Sequence, residues 1–502
     1  MEDETEAELE KPHAKKFNRI RVFYRLYRKR LIAGFVILAH TAGALTSVEA
    51  VMETRTPQGA TAWIVCLNLF PYAAVPAYWA FGHTEFDAYR AIRDRNDEVF
   101  KPIRAEISSS ISAGQLGAEA DKPVAKILES LAGLQFTNGN GLTLLVDGED
   151  TYDAMLEAID GAEKYILFQT YIIHADKTGN RFKEALLKKA AAGVKVRILY
   201  DEIGSLRLDD DFRKELLAGG VEVAVFSTNQ SEGRKYQLNF RNHRKILVVD
   251  GTTGFTGGLN IGDEHLHKDE VLTPWRDTHL RVSGPAATML QLPFSEDWYW
   301  ATGEVPEGLD WSVKTDKSGG EVKVLCLPTG PADERETCGL FFLAAINSAK
   351  ERLWIATPYF VPDTQIISAL KLAKLRGVDV RILVPGINDS KLVKYSSFSY
   401  LDEIGEAGIS AYRFQKGFLH QKVMLIDDDL SCIGSANMDN RSFRLNFEVI
   451  LAVEDRNFAK EVEKMLENDF ANSKIIPKGT LASKPFLFRL ASRVSRLLAP
   501  IQ

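Results

Sequence analysis

Apolar residues concentrate in two long runs near the start of the 502-residue chain, at positions 31–51 and 60–81. Each run approaches the about 20 residues that a helix needs to cross a bilayer. A short segment, residues 52–59, separates them, and the aromatic residues of the second run lie mainly toward its ends, as at membrane interfaces. This pattern predicts a transmembrane helical hairpin. The alternative is a buried pair of helices in a soluble domain.

The distribution of basic residues predicts the orientation of this hairpin. Nine Lys or Arg residues fall in 11–30, one (Arg55) in the loop, and five in 83–104. The positive-inside rule therefore places both ends of the hairpin, and everything after it, in the cytoplasm. The long basic stretch and the second apolar run argue against a cleaved signal peptide. Residues 1–10 are strongly acidic and are expected to be disordered.

Beyond residue 140, short apolar runs alternate with amphipathic segments. We predict strands at 142–146, 165–171, 194–200 and 221–226, and helices at 152–162, 182–192 and 212–218. Such alternation is typical of an α/β fold whose largely parallel or mixed sheet is covered by helices on both faces. Residues 83–135, which include the Ser/Gly-rich stretch 108–117, are expected to connect the hairpin to this fold.

The α/β pattern occurs twice. The segment KKAAAGVKVRILYD at 188–201 matches KLAKLRGVDVRILVP at 371–385, and Gln169-Thr170-Tyr171 matches Thr357-Pro358-Tyr359. The chain therefore contains a duplication, and a pseudo-two-fold arrangement would bring equivalent residues face to face. We divide the chain into six regions, which are 1–30, 31–82, 83–135, 136–315, 316–480 and 481–502.

A polar motif with fixed spacing occurs once in each repeat. The first copy consists of His243-x-Lys245, an apolar strand at 246–249, Asp250 and Gly257-Gly258-x-Asn260. The second consists of His420-x-Lys422, a strand at 423–426, Asp427 and Gly434-Ser435-x-Asn437. His and Lys are two residues apart, Lys and Asp five, and Asp and the first Gly seven in both copies. Two copies with identical spacing argue against a chance surface pattern.

The residue types of this motif suit phosphoryl chemistry. His and Lys two positions apart on a strand point to the same side. A neutral imidazole can attack phosphorus or move a proton, and the neighbouring ammonium can neutralise a phosphate oxygen. Glycine lets the backbone approach a tetrahedral phosphoryl group, and the Asn amide can donate to its oxygens. Exchange of a phosphodiester uses two histidines, one as nucleophile and one as proton donor, and two copies supply both.

The paired H-x-K-x4-D-x6-G-[GS]-x-N motifs resemble those of the phospholipase D superfamily. Four further strings narrow the resemblance to bacterial cardiolipin synthases of this type: DExGS at 201–205, TPWRDTH at 273–279, TPYFVPD at 357–363 and NMDxRSFxLNxE at 437–448. The resemblance implies an α/β fold of two duplicated phospholipase D-type α/β/α halves with pseudo-two-fold symmetry, preceded by the transmembrane helical hairpin. It also implies a bacterial inner-membrane, multi-pass enzyme with cytoplasmic catalytic halves.

The resemblance further implies a mechanism. His243 attacks the phosphorus of one phosphatidylglycerol while His420 protonates the departing glycerol. The terminal hydroxyl of a second phosphatidylglycerol then attacks the phosphatidyl-histidine and yields cardiolipin. The expected phosphate-binding residues are Lys245, Lys422, Asn260, Asn437, Gly258, Ser435 and Arg441. Because Gly258 stands where the second motif has Ser435, one hydroxyl donor is missing from the first half. No cofactor or metal is expected, since one phosphodiester replaces another and two lysines neutralise the phosphate.

A histidine in this role needs its second ring nitrogen oriented, usually by a carboxylate. We assign Glu448 to His420 and Asp277 to His243, with a plain surface position as the alternative for Asp277. Asp250 and Asp427 begin turns. We expect both to tie down the motif loop, although the family pattern groups them with the catalytic motif.

Composition excludes several other functions. The formal net charge of −6 gives no global basic field, so nucleic acid is not an expected partner. The four cysteines form no C-x-x-C pair, which argues against a metal site or a disulfide framework. His265, His267 and His279 could suggest zinc, but nothing completes the site. We expect His265 and His267 at the active-site rim.

Residues 484–500, KPFLFRLASRVSRLLAP, place apolar residues at helical spacing with three arginines between them. This pattern predicts a basic amphipathic helix that either lies on an anionic bilayer or docks on the protein.

Several functional alternatives remain open from the sequence. A membrane-bound phospholipase D would use the same residues with water as the acceptor. Phosphatidylethanolamine could replace the second phosphatidylglycerol. A nuclease of the same superfamily is disfavoured by the apolar hairpin, and an inactive membrane scaffold by the two intact motifs. The oligomeric state, including a homo-oligomer, is not readable from the sequence.

Overall fold

The computed structural model describes residues 12–54, 56–82, 87–118, 122–227, 239–268, 271–316 and 321–502. The acidic segment 1–10, for which we predict disorder, lies outside the described residues, and so does Arg55. Contacts within the chain divide it near residue 84 into two compact units. The first unit contains the apolar helices, and the second contains both motifs.

The first unit is helical. Its helices are α1 (Pro12–Glu53), α2 (Pro57–Leu69) and α3 (Pro71–Phe81). Within α1, the 27-residue stretch Tyr27–Glu53 is long and apolar enough to cross a membrane, and it is the one such stretch in the described residues. Helices α2 and α3 pack against α1 around the buried side chains of Leu67 and Tyr78.

The second predicted span is not one continuous helix. Phe70 departs from helical geometry, with φ −134° and ψ 53°, and α3 begins at Pro71. Proline lacks the backbone N–H that a continuing helix would need, and its ring disfavours a helical conformation at the preceding residue. The prediction of a single helix over 60–81 is therefore wrong, and two short helices occupy that region.

The second unit begins with two helices and the first motif-bearing half. The helices are α4 (Asp87–Ala113) and α5 (Pro123–Ala132). The strands of the first half are β1 (Thr137–Val146), β2 (Tyr165–Thr170), β3 (Lys195–Asp201), β4 (Glu222–Phe226), β5 (Arg241–Asn242), β6 (Ile246–Val249), β7 (Thr253–Gly257), β8 (Trp275–Arg276) and β9 (Thr278–Ser283). Its helices are α6 (Asp147–Asp160), α7 (Lys177–Ala191), α8 (Asp210–Ala218) and α9 (Pro285–Thr302).

The second half repeats this order. Its strands are β10 (Val322–Thr329), β11 (Arg352–Ala356), β12 (Phe360–Val361), β13 (Asp379–Pro385), β14 (Ser410–Phe414), β15 (Phe418–Leu419), β16 (Val423–Ile426), β17 (Leu430–Gly434), β18 (Met438–Asp439), β19 (Asn446–Glu454) and β20 (Ser473–Ile475). Its helices are α10 (Thr337–Ser348), α11 (Thr364–Leu375), α12 (Lys391–Glu406), α13 (Asn440–Arg444), α14 (Arg456–Ala471) and α15 (Phe486–Leu497).

The strand order shows the pseudo-two-fold symmetry directly. The main path through the sheet runs β20-β14-β13-β11-β16-β17-β19-β10-β1-β9-β7-β6-β2-β3-β4, and β5 pairs with β19 off this path. Each half contributes a corresponding series, and the halves meet where β1 pairs antiparallel with β10. The sheet is mixed, because parallel pairs such as β2–β3 alternate with antiparallel pairs such as β6–β7.

Helices cover both faces of the sheet. Helices α6, α7 and α8 pack on the outer face of the first half, and α10, α11 and α12 pack on that of the second. Helices α9 and α14 lie in one apolar core that the two halves share. Each long helix brings a buried aspartate into the middle of the molecule, Asp297 from α9 and Asp469 from α14.

Two predicted boundaries need correction. Strand β1 begins at Thr137, five residues before the predicted start, because its first part pairs with β10. The Ser/Gly-rich stretch 108–117 is not a linker throughout, since α4 continues to Ala113. Ile107 and Ile111 are buried in the shared core, and this packing outweighs the weak helix propensity of the serines between them.

Candidate active site

Each H-x-K motif follows a two-residue strand that pairs with a strand of the opposite half. Strand β5, just before His243, pairs in parallel with the start of β19, and the His243 backbone N–H donates to the Phe447 carbonyl at 2.9 Å. Strand β15, just before His420, pairs in parallel with β8, and the His420 N–H donates to the Arg276 carbonyl at 2.7 Å. The backbone of each motif is therefore held by hydrogen bonds to the opposite half.

This pairing places a carboxylate from the opposite half against each imidazole. His243 Nδ1 lies 2.9 Å from a carboxylate oxygen of Glu448, and His420 Nδ1 lies 2.8 Å from a carboxylate oxygen of Asp277. The predicted assignment of Glu448 to His420 and of Asp277 to His243 is wrong. The carboxylates cross over because each follows directly after the carbonyl that binds the other half's histidine backbone.

The two carboxylates are fully buried and are held by different sets of donors. Glu448 accepts hydrogen bonds from the hydroxyls of Ser435 and Ser442, at 2.5 and 2.9 Å, and from the Asn446 amide at 3.1 Å. Asp277 accepts from the indole N–H of Trp275 at 3.3 Å and from its neighbour's backbone N–H at 2.8 Å. These donors favour the ionised form of each carboxyl group and fix its orientation.

The Gly258/Ser435 difference has a structural explanation. The Ser435 hydroxyl donates to Glu448, so it orients a carboxylate, and we do not retain the expected phosphate-binding role for it. In the first half, a Cβ at Gly258 would lie 2.0 Å from a carboxylate oxygen of Asp277. The shorter Asp277 occupies the space of the missing side chain. The two halves thus use different residue pairs, Gly with Asp and Ser with Glu, for the same purpose.

Both motif lysines lie directly beside their histidines. Lys245 Nζ donates to the His243 carbonyl at 2.7 Å and lies 5.4 Å from the Tyr171 ring centroid. Lys422 Nζ donates to the His420 carbonyl at 2.6 Å and lies 3.0 Å from both ring nitrogens of His420. The histidines and lysines are at most 8% exposed. Two ammonium groups therefore converge with two imidazoles in a nearly dry site.

Burial sets the protonation of these groups. It lowers the pKa of His243 to about 4, despite the opposing effect of Glu448, and it also lowers the pKa of His420. Burial lowers the pKa of Lys245 to about 7 and that of Lys422 to about 8. Both imidazoles are therefore neutral near pH 7 in the unliganded site. A neutral His243 that donates its Nδ1 proton to Glu448 presents the Nε2 lone pair to a substrate.

Three aromatic residues complete the walls of the site. Tyr171 packs edge-on against His243, with ring centroids 5.0 Å apart, and Tyr359 occupies the equivalent place 6.4 Å from His420. Trp275 lies 5.1 Å from the His420 ring. Sequence reasoning gave these residues no role. Their signal was present, because the two tyrosines end the matched segments QTY and TPY, and Trp275 lies in the same string as Asp277.

The side chains of the two motif asparagines use only part of their hydrogen-bonding capacity within the protein. The Asn260 side-chain oxygen accepts from the Ile172 N–H at 3.3 Å, which turns its NH₂ group away from that backbone. The Asn437 side-chain oxygen is buried and has no hydrogen-bond partner among the described residues. Both amides therefore retain hydrogen-bonding capacity toward a ligand.

Arg441 is also placed near the site. Its guanidinium donates to the Asn239 carbonyl at 2.7 Å. Burial and the like charge of Arg241 lower its pKa, so two arginines lie close together beside Tyr171. Such a pair of cations suits an anionic group such as a phosphate.

The motif aspartates Asp250 and Asp427 face away from the reacting groups. Asp250 accepts three backbone N–H bonds from residues 163–165, at 2.7 to 2.9 Å, and Asp427 accepts the equivalent bonds from residues 350–352. Both residues have φ of 52°, a left-handed conformation found in turns. They tie the turn after each motif strand to the start of the neighbouring strand.

The three further histidines have structural positions. His265, which we expected at the rim, is buried behind Trp275, with ring centroids 4.4 Å apart. The His267 ring accepts a hydrogen bond from the Trp275 N–H at 3.0 Å, and His279 is buried beside Gly257. Within the described ranges, no group of three or more His, Cys, Asp or Glu side chains is arranged to hold a metal ion.

Two buried arginines beside the site form ion pairs and hydrogen bonds that hold its surroundings together. Arg276 makes two hydrogen bonds to Asp469, at 2.8 and 2.9 Å, across the boundary between the halves. Arg244, inside the first motif, pairs with Asp297 at 2.8 Å and donates to the Glu448 carbonyl at 3.0 Å. Residues beside the reacting groups thus join the two halves.

Two duplicated α/β halves that share one site of paired His-x-Lys motifs define a member of the phospholipase D superfamily. The family model described as "Cardiolipin synthase, PLD-like domain" matches residues 155–298 and 342–470. The chain belongs to this family of cardiolipin synthases.

Similar proteins agree with this assignment. The chain is 46% identical to cardiolipin synthase A of Pseudomonas fluorescens Pf-5, over 94% of this chain and 98% of the relative. It is 43% identical to cardiolipin synthase A of Pseudomonas putida W619, over 95% and 99%. Among solved structures, the phosphatidylserine synthase of Haemophilus influenzae has the same fold, with a TM-score of 0.59 at 16% identity, over 75% of this chain and all of that one.

Proposed function

We propose that the protein is a membrane phosphatidyltransferase that condenses two phosphatidylglycerol molecules into cardiolipin and glycerol. The observation that carries the proposal is the crossed pair of histidine–carboxylate contacts in one buried site, because it provides two oriented imidazoles for one phosphorus. The names of the relatives at 42 to 46% identity supply the lipid class. A phosphodiester exchange consumes no nucleotide.

In the first step, His243 Nε2 attacks the phosphorus of one phosphatidylglycerol. The bond from phosphorus to the glycerol oxygen breaks, and His420 gives a proton to that oxygen. His420 is neutral in the empty site, but the bound phosphodiester adds negative charge that raises its pKa together with Asp277. Lipid binding is thus coupled to proton uptake. Lys245 and Lys422 stabilise the charge that develops on the non-bridging oxygens.

In the second step, the terminal hydroxyl of another phosphatidylglycerol attacks the phosphatidyl-histidine. His420, now neutral, removes the hydroxyl proton, and the bond from phosphorus to His243 breaks. Glu448 stabilises the positive charge that His243 carries in the intermediate. We assign Asn260, Asn437 and Arg441 to the phosphate groups of the two lipids.

We also propose that the protein crosses the inner membrane of a bacterium more than once and that both catalytic halves are cytoplasmic. The stretch Tyr27–Glu53 within α1 supports a first crossing, and α2 and α3, which total 24 residues, support a return. Nine basic residues in 11–30 and five in 83–104, against one between the helices, support the orientation.

The proposal is tested by giving the purified protein labelled phosphatidylglycerol alone, in mixed micelles without nucleotide. Cardiolipin and free glycerol in equal amounts are expected. Phosphatidic acid without cardiolipin would overturn the transferase and establish a phospholipase D instead. A second assay with added phosphatidylethanolamine determines whether the acceptor site accepts that lipid.

A further inference from the structure

The apolar face of α15 points away from the protein. Leu487 and Leu497 are 75% and 78% exposed, and Leu490 is 47% exposed. The exposed apolar residues of the helix and its C-cap are Phe486, Leu487, Leu490, Val494, Leu497 and Leu498. At 100° per residue they cover one arc of about 120° on the helix surface. An amphipathic helix that docks on its own domain would bury this face.

The opposite face of α15 is the one that packs on the protein. Phe488 contacts the rings of Tyr395 and Phe398 on α12, with centroids 5.1 and 5.0 Å apart. Ser492 is fully buried, and Arg496 pairs with Glu403 at 2.6 Å. The helix is therefore fixed by its polar side and one aromatic residue. Packing against α12 sets the orientation of α15, so the apolar arc faces away from the protein.

The charge of α15 matches an anionic surface. The helix contains no acidic residue. Arg489 and Arg493 are exposed beside the apolar arc and form no ion pair with the described residues. Basic residues that flank an apolar stripe favour the interface of a bilayer with anionic lipids, where the arginine stems remain in the headgroup region.

The helix is also connected to the active site, through α12 and through the residues that follow α15. Helix α12, on which α15 packs, begins two residues after Asp389, which accepts a hydrogen bond from the hydroxyl of Tyr359 beside His420. Beyond α15, the backbone carbonyl of Gln502 accepts from the Arg441 N–H at 2.8 Å. Both ends of the α15 region therefore connect to elements that form the site.

We infer that α15 is a bilayer-docking helix, which inserts its apolar arc into an anionic phospholipid membrane and holds the mouth of the active site at the lipid surface. The docking surface is the set Phe486, Leu487, Leu490, Val494, Leu497 and Leu498. The inference rests on the proposed function only in its catalytic consequence, that the substrate reaches the site from this membrane. The placement of α15 in the lipid is a separate claim.

The placement is tested with spin labels on the full-length protein in nanodiscs of phosphatidylethanolamine and phosphatidylglycerol. Labels at Leu490→Cys and Val494→Cys, in a Cys66→Ser background, should be accessible to oxygen and protected from a water-soluble nickel chelate. A label at Leu375→Cys, which replaces an exposed leucine of α11, should show the reverse. Water-accessible labels at positions 490 and 494 would overturn the inference. So would short label-to-label distances from one copy to another, which would indicate a dimer contact.

The catalytic consequence is tested with the double variant Leu487→Gln/Leu497→Gln. Turnover of bilayer-embedded phosphatidylglycerol should fall about tenfold, whereas turnover in detergent micelles should stay within about twofold of wild type. The matched control, Leu372→Gln/Leu375→Gln, removes two exposed leucines from α11 and should change neither rate. Equal rates of the α15 variant and wild type in bilayers would contradict the claim that α15 brings the active site to its substrate in the membrane. If wild type makes no cardiolipin in either medium, the proposed function fails, while the labels still report docking.

Discussion

At the scale of single residues, the empty site holds two neutral imidazoles beside two lysines in a dry environment. Burial keeps His243 unprotonated, and Glu448 fixes its proton on Nδ1, so one lone pair is directed to the phosphorus. The same burial weakens the basicity of Lys245 and Lys422. A bound phosphodiester restores their full charge. The empty site is thus poised for an anion and is fully charged only when one is present.

The crossed carboxylates make a prediction about individual steps. A phosphatidyl ester of p-nitrophenol needs no acid for its leaving group, so His420→Ala should release one equivalent of nitrophenol per site and then stall. His243→Ala should release none. Glu448→Gln should slow this burst by roughly 10²- to 10⁴-fold, because it removes the partner of the nucleophile. Asp277→Asn should leave the burst unchanged and slow cardiolipin formation.

Stopped-flow absorbance measures the burst, and mass spectrometry locates the adduct. A burst that depends on Asp277 and not on Glu448 would contradict the assignment of His243 as nucleophile.

The lowered lysine pKa values predict a particular pH dependence. A lysine is charged below its pKa, so kcat/KM should fall as the pH rises through about 7, where Lys245 loses its proton in the free enzyme. The corresponding limb of kcat should lie at higher pH, because the bound phosphodiester stabilises the ammonium. Lys245→Arg keeps its charge to beyond about pH 9, so its own normalised kcat/KM profile should lose this limb. If kcat/KM of Lys245→Arg falls with rising pH as in wild type, the fall is caused by another group, such as His420.

At the scale of elements, short strands determine how the residues of the site are arranged. The two-residue strands β5, β8 and β15 contribute little to the sheet, yet they decide which carboxylate meets which histidine. The sequence predicted the duplicated α/β fold, the strands of both motifs and the two carboxylates. It could not predict their pairing, because proximity along the chain favours Asp277 for His243. The actual partner depends on which half supplies the neighbouring strand.

The same limit explains the other differences from the sequence prediction. The hydropathy of residues 60–81 is uniform, but Pro71 divides it, and this proline was a visible signal for the break. The burial of His265 and the hydrogen bond from Ser435 to Glu448 depend on contacts between distant segments. Spacing along a motif identifies which residues gather at a site. It does not show which of them face the ligand and which hold their neighbours.

A glycine substitution tests the complementarity between Gly258 and Asp277. The side chain of Gly258→Ser would overlap Asp277, which is fully buried and cannot withdraw, so we expect a loss of about 1–3 kcal/mol in stability. Activity should fall by about the factor seen for Asp277→Asn, since the carboxylate is displaced from His420. Gly405→Ser on α12, where a Cβ meets nothing within 4 Å, is the control and should affect neither property. Thermal unfolding and turnover in micelles measure both. A fully active Gly258→Ser enzyme would show that the loop relaxes without moving Asp277.

At the scale of the whole molecule, the two halves are packed together as one continuous structure. They share the core around α9 and α14, a continuous sheet through β1 and β10, and the buried ion pair of Arg276 with Asp469. Because the reacting groups lie on this boundary, any separation of the halves would dismantle the site.

The ion pair between Arg276 and Asp469 tests this integration. Asp469→Asn leaves the buried Arg276 with Asp147, 3.0 Å away, as its remaining carboxylate partner among the described residues, and should destabilise the catalytic unit by about 1–3 kcal/mol. The exposed pair of Arg181 and Asp153 is the control, and Asp153→Asn should cost less than about 1 kcal/mol. Differential scanning fluorimetry in detergent measures the shift, with activity followed along the same temperature ramp. Loss of activity at the same temperature as loss of structure is expected, and similar shifts for both variants would contradict the role of the buried pair.

The crossing of the carboxylates also affects the timing of synthesis. A ribosome produces His243 about 200 residues before Glu448, so until the second half is made the nucleophile lacks its carboxylate partner and the phosphate site is incomplete. A nascent chain already inserted in the membrane among its lipids therefore cannot form a covalent lipid adduct efficiently. Reactivity appears only when the second half docks, which makes completed assembly the switch that turns the catalyst on.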